Sequence, residues 1–212
     1  REVFGAVDID QLAGPSEILV LASADADPDH IAADLISQLE HDPLAWAVCI
    51  TDSSALARSV RASFERAAPA AARAGIIAGS AGRHGAVVTV DSLERALPLV
   101  QAFAPEHLSL QGRAAEALRD RVRGAGAVFC GDLSPVSMGD YIAGPNHTLP
   151  TQGAARYRGP LSVMDFVRWP SVVDLTREEF DRLAPAARVL ANAEGLHGHE
   201  QAIRLRVRGG SA

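Results

Sequence analysis

The chain has 212 residues, of which 48% are apolar and 22% charged, a composition typical of a soluble globular protein with one sizeable domain and an appendage. Its 26 acidic and 20 basic side chains give a net charge of −6, without the basic face that nucleic-acid binding requires. No apolar stretch approaches the roughly 18 residues that span a bilayer, and no secretion signal is recognisable, so we predict a cytoplasmic protein with neither nucleic acid nor membrane as a partner.

The sequence starts with REVFGAVDID rather than with a methionine. Because this start already lies close to a strand-like pattern, we expect the sequence to be a piece of a longer or processed polypeptide. Residues that an upstream segment contributes to function would then lie outside it.

Five short apolar runs, rich in β-branched residues, predict strands that are covered on both faces. They are EILVLA (Glu17 to Ala22), WAVCITD (Trp46 to Asp52), AVVTV (Ala86 to Val90), LSL (Leu108 to Leu110) and AVFCG (Ala127 to Gly131). Helical patterns lie between them, over Pro28 to Glu40, Ser53 to Ala68, Ser92 to Phe103 and Ala114 to Arg123. This alternation predicts an α/β fold with a parallel sheet and right-handed crossovers.

The first predicted helix begins with a strong start signal, Asp27 as the cap and Pro28 in the first turn. At its other end Gln38 and His41 are three residues apart and project from the same flank. The spacing alone favours a polar helix end in which His41 interacts with the last carbonyl groups. The same pair could also offer an amide oxygen and an imidazole nitrogen to one metal ion.

The run FAPEHLSL places Glu106 and His107 next to each other, just before a predicted strand. Neighbouring side chains on extended backbone point to opposite faces, so one of the two could simply be exposed. At the mouth of a strand, however, both can reach one cavity, where a carboxylate and an imidazole form an acid and base pair.

The stretch MGDYIAGPNHTLP, Met138 to Pro150, is interrupted by glycines and prolines, and we predict a turn-rich loop rather than a helix. It carries Asp140 and His147. Two interpretations are open: loop residues that solvate each other, or part of a binding site.

The pattern changes after about Pro160. Thr176 and Glu179 have the spacing of a capping box, and two helical stretches follow without another strong strand. We therefore predict an α/β domain over residues 1–161 and a helical tail over residues 162–212. The run AEGLHGHE in the tail contains Glu194, His197 and His199. Such a pattern is most often a solvated helix end.

Several familiar signatures do not occur. There is no GxGxxG between a strand and a helix, no GxSxG and no pair of CxxC motifs. Cys49 and Cys130 lie in apolar runs, which predicts reduced, buried thiols. The residues alone thus favour an α/β domain, with metal binding as an option and with its activity open.

Several runs together resemble the histidinol dehydrogenase family, in the same order and over nearly the whole chain. They are AGPSEILVLA, ADLISQLEHDP, FAPEHLSL, GDYIAGPNHTLPTQGAARYRGPLSV and LANAEGLHGHEQAIRLR. The most specific is GDYxxGxNHxLPT. The resemblance implies Rossmann-like parallel sheet domains with a C-terminal helical tail, and a domain-swapped homodimer. It further implies zinc, and the NAD-linked oxidation of L-histidinol to L-histidine through the aldehyde, the last steps of histidine biosynthesis.

The resemblance also implies roles for individual residues. The zinc ligands would be Gln38, His41, Asp140 and His199. Glu106 and His107 would be the catalytic acid and base pair, His107 taking the hydroxyl proton and Glu106 activating water for the second oxidation. Substrate contacts would come from Ser16, His147 and Glu194 together with the zinc ligands and His107.

The resemblance implies that the partner subunit's tail delivers Glu194 and His199, and that most contacts to NAD lie upstream of this sequence. Two alternatives to the dehydrogenase remain open. One is a non-catalytic metal-binding or dimerisation module that keeps the site residues. The other is a metal-dependent hydrolase, which the same ligands would permit.

Overall fold

A computed structural model describes residues 2–3, 5–11 and 13–207 of the chain. The strands are β1 (Glu17–Ala22), β2 (Trp46–Thr51), β3 (Gly85–Thr89), β4 (His107–Gln111) and β5 (Ala127–Cys130). The helices of the first part are α1 (Pro28–Leu39), α2 (Ser54–Ala67), α3 (Ala74–His84), α4 (Leu93–Phe103), α5 (Arg113–Glu116) and α6 (Val136–Tyr141). Two more follow, α7 (Arg177–Ala193) and α8 (His197–Arg204). Short 3-10 helices cover Ala68–Ala70, Arg119–Arg121, Ala154–Arg156 and Val163–Phe166.

The five predicted strands form one parallel sheet in the order β3-β2-β1-β4-β5. This is the strand order of a Rossmann-like fold, and it confirms the predicted fold class. The direction of winding reverses between β1 and β4, which are direct neighbours. The crevice at such a reversal is the usual ligand site of these folds, on the side of the carboxyl ends of the strands.

The two faces of the sheet bury separate apolar clusters. On the first face, Ile18, Val20 and Ala22 of β1 pack with Ile31, Leu35 and Leu39 of α1. On the second face, Leu19 and Leu21 of β1 and Leu108 and Leu110 of β4 pack with Leu93, Leu97 and Val100 of α4. Because side chains alternate along a strand, α1 and α4 cover opposite faces of the sheet.

Helix α1 carries residues back from the carboxyl edge of the sheet to its amino edge. It begins where Asp27 accepts hydrogen bonds from the N–H groups of Asp29 and His30, as the sequence predicts. Since β2 runs parallel to β1, the intervening helix must return across the sheet. The end of α1 therefore lies at the same edge as the start of β4. Gln38 is in the last turn of this helix, and His41 follows it.

Two helical regions differ from the predictions. Helix α3 has no counterpart among the predicted helices, because Gly75, Gly79 and Gly82 lower its helix propensity and interrupt its apolar pattern. The helix predicted from Ala114 to Arg123 ends at Glu116 and continues as a 3-10 turn. Its buried residues, Ala115 and Leu118, are three apart, which is the period of a 3-10 helix.

The prediction that Met138 to Pro150 contains no helix was wrong for its first four residues, which belong to α6. Pro135 immediately precedes this helix, where a missing backbone N–H costs nothing. Gly139 allows α6 to approach β5, since a Cβ atom there would come within 2.5 Å of the Phe129 ring. Asp140 is therefore presented by a helix packed on the sheet rather than by a free loop.

The chain divides into two compact units, the first ending at Val167 and the second starting at Arg168. In the second unit, Thr176 and Glu179 form the predicted capping box, and α7 and α8 are joined by an ion pair between Arg188 and Glu200. Ala184 and Ala191 are its buried α7 residues. Within the described ranges, no helix is long and apolar enough to cross a membrane. Both cysteines are free, and Cys49 is buried while Cys130 is half-buried.

Candidate active site

A cluster of buried ionisable side chains lies at the amino edge of the sheet. Glu17 and His107 are the first residues of β1 and β4, and Glu106 directly precedes β4. Strands β1 and β4 are neighbours, with Ile18 paired with His107. The cluster thus lies at the edge opposite the one that Rossmann-like folds usually use for ligands.

Glu17 and Glu106 are joined by a pair of crossed hydrogen bonds. The Glu17 N–H donates to Glu106 Oε2 at 2.9 Å, and the Glu106 N–H donates to Glu17 Oε2 at 3.3 Å. The Gln152 N–H donates to the other carboxylate oxygen of Glu17 at 3.1 Å. Sequence reasoning missed Glu17. Its only signal was a charged residue that opens an otherwise apolar, fully buried strand.

Burial raises the pKa of both carboxyl groups. The pKa of Glu106 rises to about 7, mainly because the side chain is removed from water and further because of the nearby charges of Glu17 and Asp140. Burial also raises the pKa of Glu17, although the hydrogen bonds from Gln152 and Glu106 oppose the rise. A carboxyl group with a pKa close to neutrality can both give and take a proton at physiological pH.

His107 is buried and oriented by the backbone. Its Nδ1 lies 3.0 Å from the carbonyl oxygen of Glu17. Since a carbonyl oxygen only accepts hydrogen bonds, Nδ1 carries the proton and Nε2 of the neutral ring carries the lone pair. Nε2 is buried without a hydrogen-bond partner among the described residues. Burial, and the charges of His147 and His41, lower the pKa of His107, although Glu17 and Asp140 oppose the change.

Asp140 and His147 complete this cluster from α6 and the segment after it. Asp140 Oδ1 lies 3.7 Å from Nε2 of His107 and 3.2 Å from Nδ1 of His147. The carboxylate of Asp140 is largely buried, with 13% of its side chain exposed, whereas 67% of the His147 side chain is exposed. The structure therefore brings together four predicted residues, Glu106, His107, Asp140 and His147.

The remaining predicted residues of the first unit lie around this cluster. Gln38 is buried in the last turn of α1, and the exposed His41 follows the helix, close enough for its charge to lower the pKa of His107. Ser16 is half-buried directly before β1, where its carbonyl oxygen accepts a hydrogen bond from the N–H of Trp46.

The second unit carries the other two predicted site residues. Glu194 caps the end of α7, and His199 lies in the first turn of α8. Both side chains are exposed. Within the described part of the chain, no three His, Cys, Asp or Glu side chains are grouped so that they could hold a metal ion. Three of the predicted zinc ligands, Gln38, His41 and Asp140, belong to the first unit, and His199 belongs to the second. This ligand set stays a prediction.

The raised pKa of Glu106 predicts a specific dependence of stability on pH. Between its ordinary value of 4.5 and about 7, the folded protein keeps a proton that the unfolded chain has released, so this group lowers the free energy of unfolding as the pH rises. Glu106→Gln removes this effect. We expect the free energy of unfolding of the variant, measured in urea relative to that of the unmodified chain, to increase by about 1–3 kcal/mol from pH 5 to pH 8.

The matched control for this experiment is Glu65→Gln, at an exposed position of α2. That variant should follow the unmodified chain at every pH. If the free energies of unfolding of Glu106→Gln and the unmodified chain change in parallel with pH, the Glu106 carboxyl titrates alike in the folded and unfolded states. That result would contradict the prediction.

Comparisons with known proteins identify the family of the chain. The family model for histidinol dehydrogenase matches residues 1–207. A histidinol dehydrogenase from Synechococcus sp. is 48% identical over 96% of this chain, and one from Bacillus cereus is 47% identical over 97% of it. The crystal structure of histidinol dehydrogenase from Elizabethkingia anophelis superimposes with a TM-score of 0.89 at 34% identity, covering 94% of this chain.

The chain spans about half the length of the proteins it matches, 47% of the Synechococcus protein and 46% of the crystallised chain. A family match that covers nearly every residue, identities close to one half and a shared fold agree with the order of motifs seen in the sequence. The chain belongs to the histidinol dehydrogenase family.

Proposed function

We propose that this chain is the C-terminal part of a cytoplasmic, zinc- and NAD-dependent enzyme that oxidises L-histidinol to L-histidine through the aldehyde. The observation that carries the proposal is the buried His107, whose Nε2 is unpaired among the described residues and whose Nδ1 lies 3.4 Å from Glu106 Oε2, a carboxyl group with a pKa of about 7. The names of the matched relatives support the substrate.

In this proposal His107 is the base of the alcohol oxidation. The hydrogen bond to the Glu17 carbonyl leaves the lone pair on Nε2, and the lowered pKa keeps the ring neutral at physiological pH. The ring can therefore accept the hydroxyl proton while hydride leaves the same carbon for NAD. Oxidation of an alcohol to an aldehyde releases one proton and one hydride, so a base and a hydride acceptor complete the step.

Glu106 serves the second oxidation, in which the hydrated aldehyde loses hydride to give the acid. A carboxylate near neutrality can remove a proton from water, and the pKa of Glu106 suits that task. Glu17 holds Glu106 in place through the crossed hydrogen bonds. We expect the NAD contacts to lie in the half of the family's length that this chain does not span.

We propose that side chains at the amino edge hold the zinc ion together with a residue of the second subunit. Gln38, His41 and Asp140 would supply amide oxygen, imidazole and carboxylate from one subunit, and His199 a second imidazole from the other, a donor set that suits zinc. The partly buried Asp140 lies next to the unpaired Nε2 of His107, so a substrate held there would meet the base. Zinc, when bound, supplies a positive charge that orients the amino-alcohol.

A homodimer with a composite site is supported by exposed apolar side chains in each unit. Tyr141 and Ile142, next to Asp140, are 84% and 76% exposed. On α7, Val189 and Leu190 are 68% and 64% exposed, close in sequence to Glu194. Adjacent large apolar residues at this exposure are typical of a surface that another chain covers. We propose that the tail of one subunit docks on the other and brings Glu194 and His199 to its site.

The roles of His107 and Glu106 predict the kinetics of their variants in the full-length enzyme. His107→Asn and Glu106→Gln should each lower kcat for histidinol oxidation by about 10²–10⁴-fold, the usual worth of a positioned acid or base. Zinc content should be unchanged. His30→Asn, an exposed histidine at the start of α1, is the control and should keep the normal rate. A loss below tenfold at both positions would contradict the proposed acid and base.

The composite site predicts complementation between two inactive variants. One full-length protein carries His41→Ala and the other His199→Ala, and their subunits are exchanged. In a mixed dimer, one site collects both lesions and the other neither, so each mixed dimer should show about half the activity of a normal dimer. If activity does not return although exchange is demonstrated, His199 serves the site of its own chain.

A further inference from the structure

A row of buried polar side chains runs along β4 from the candidate active site to the opposite edge of the sheet. His107, Ser109 and Gln111 are 4%, 1% and 1% exposed. They alternate along the strand and therefore share one face. Their register partners in β1 are Ile18, Val20 and Ala22, which form the apolar cluster under α1. The row thus interrupts a core surface that is otherwise apolar.

Polar residues also lie along one side of helix α1, and Asp34 among them contacts β4. Asp34 and Gln38 are four residues apart, and His41 follows three residues later, so the three share one side of the helix and its continuation. Asp34 and Gln38 are 7% and 3% exposed. The helix runs antiparallel to β4, so the step from Asp34 toward His41 leads in the same direction as the step from Gln111 toward His107.

The two rows are joined by hydrogen bonds at the end distant from the active site. Gln111 Nε2 donates to Asp34 Oδ2 at 3.2 Å and to Ser109 Oγ at 2.9 Å. These contacts link helix to strand across the core. The Gln111–Asp34 bond connects residues 77 positions apart in the chain.

This polar junction is energetically less favourable in a core than apolar packing would be. Gln111 Oε1 is buried without a partner among the described residues, and an unpaired buried acceptor destabilises the folded state. Burial also raises the pKa of Asp34 to about 6, a sign that its charge is poorly solvated. Apolar residues of similar size would pack here without either cost, so stability alone does not account for the junction.

The dimensions of the two elements show what the junction can align. Four residues of helix rise about 6 Å, and two residues of strand about 6.6 Å. With Asp34 bonded to Gln111, the helix turn that carries Gln38 lies one strand step nearer to His107. The next residues, up to His41, continue toward the amino edge of the sheet, where β4 begins at His107. Apolar contacts are not directional and would let a helix slide or rotate slightly, whereas a buried hydrogen bond sets its height and rotation.

We propose that Asp34 and Gln111 are positioning residues whose buried hydrogen bond sets the register of α1 on β4, so that Gln38 and His41 meet the active site at the level of His107. The identity of the bound group rests on the proposed function. The register of α1 does not depend on it.

The test reverses the direction of this hydrogen bond in the full-length enzyme. Gln111→Glu replaces the donating amide with a carboxyl group, which removes the N–H donor of the bond and places two acidic groups against each other. Adding Asp34→Asn provides an amide that can donate to Glu at position 111, with the same net charge as the unmodified protein. Two quantities are measured: zinc affinity, by competition with a chelator, and amide hydrogen exchange over the last turn of α1 in the metal-free protein. Gln111→Met, which removes the amide without adding charge, replaces the single variant if that one does not fold.

The single variant should lose at least tenfold in zinc affinity and exchange its last-turn amides at least tenfold faster. The double variant should return to within about threefold of the unmodified protein in both. Asp29→Ala is the matched control, because Asp29 bonds α1 to Ser63 and Arg66 of α2 instead. It should lower the Tm and leave zinc affinity unchanged.

Two results would overturn the proposal. In one, Gln111→Glu or Gln111→Met lowers the Tm as Asp29→Ala does but changes neither zinc affinity nor exchange. In the other, the double variant folds and regains neither. If the unmodified enzyme binds no zinc, the proposed function fails instead, and the exchange rates still decide whether the hydrogen bond holds the end of α1.

Discussion

The crossed hydrogen bonds between Glu17 and Glu106 are the constraint on which the candidate active site depends. Each carboxylate accepts the other residue's backbone N–H, so the starts of β1 and β4 cannot shift relative to each other without leaving buried charge unpaired. The same stretch of backbone offers the Glu17 carbonyl to His107 and thereby sets which ring nitrogen is free. The position of Glu106 and the tautomer of His107 follow from this one junction, whereas burial raises the pKa of Glu106 and the hydrogen bond from the Glu17 N–H opposes the rise.

The amino edge of the sheet is an unusual place for a site in this topology, and the connections explain it. Helices α1 and α6 both run back from the carboxyl edge, and their ends carry Gln38 and Asp140 to the starts of the strands. Toward the carboxyl edge, Asp34, Ser109 and Gln111 form the buried junction between α1 and β4. The Asp34–Gln111 bond sets the register at one end of the contact between α1 and β4, and the candidate active-site residues lie at the other end.

The strands were predictable because their β-branched runs are short and continuous, and α1 because Asp27 and Pro28 mark its start. Helix α3 was not, since its glycines conceal the pattern. Asp140 and His147 were identified by their motif, but their pairing with His107 depends on how α6 packs on Phe129. Glu17 was missed because a lone acid at a strand start becomes significant only when the sheet order makes β1 and β4 neighbours.

The protonation of the His107 ring tests this account most directly. In the full-length enzyme labelled with ¹⁵N-histidine, its two ring nitrogens can be assigned by comparison with His107→Asn, and their chemical shifts report which carries hydrogen. At pH 7 we expect a neutral ring with the proton on Nδ1 and a free lone pair on Nε2, since the Glu17 carbonyl holds Nδ1 and burial lowers the pKa. A proton on Nε2, or a doubly protonated ring at that pH, would contradict the assignment of His107 as the base.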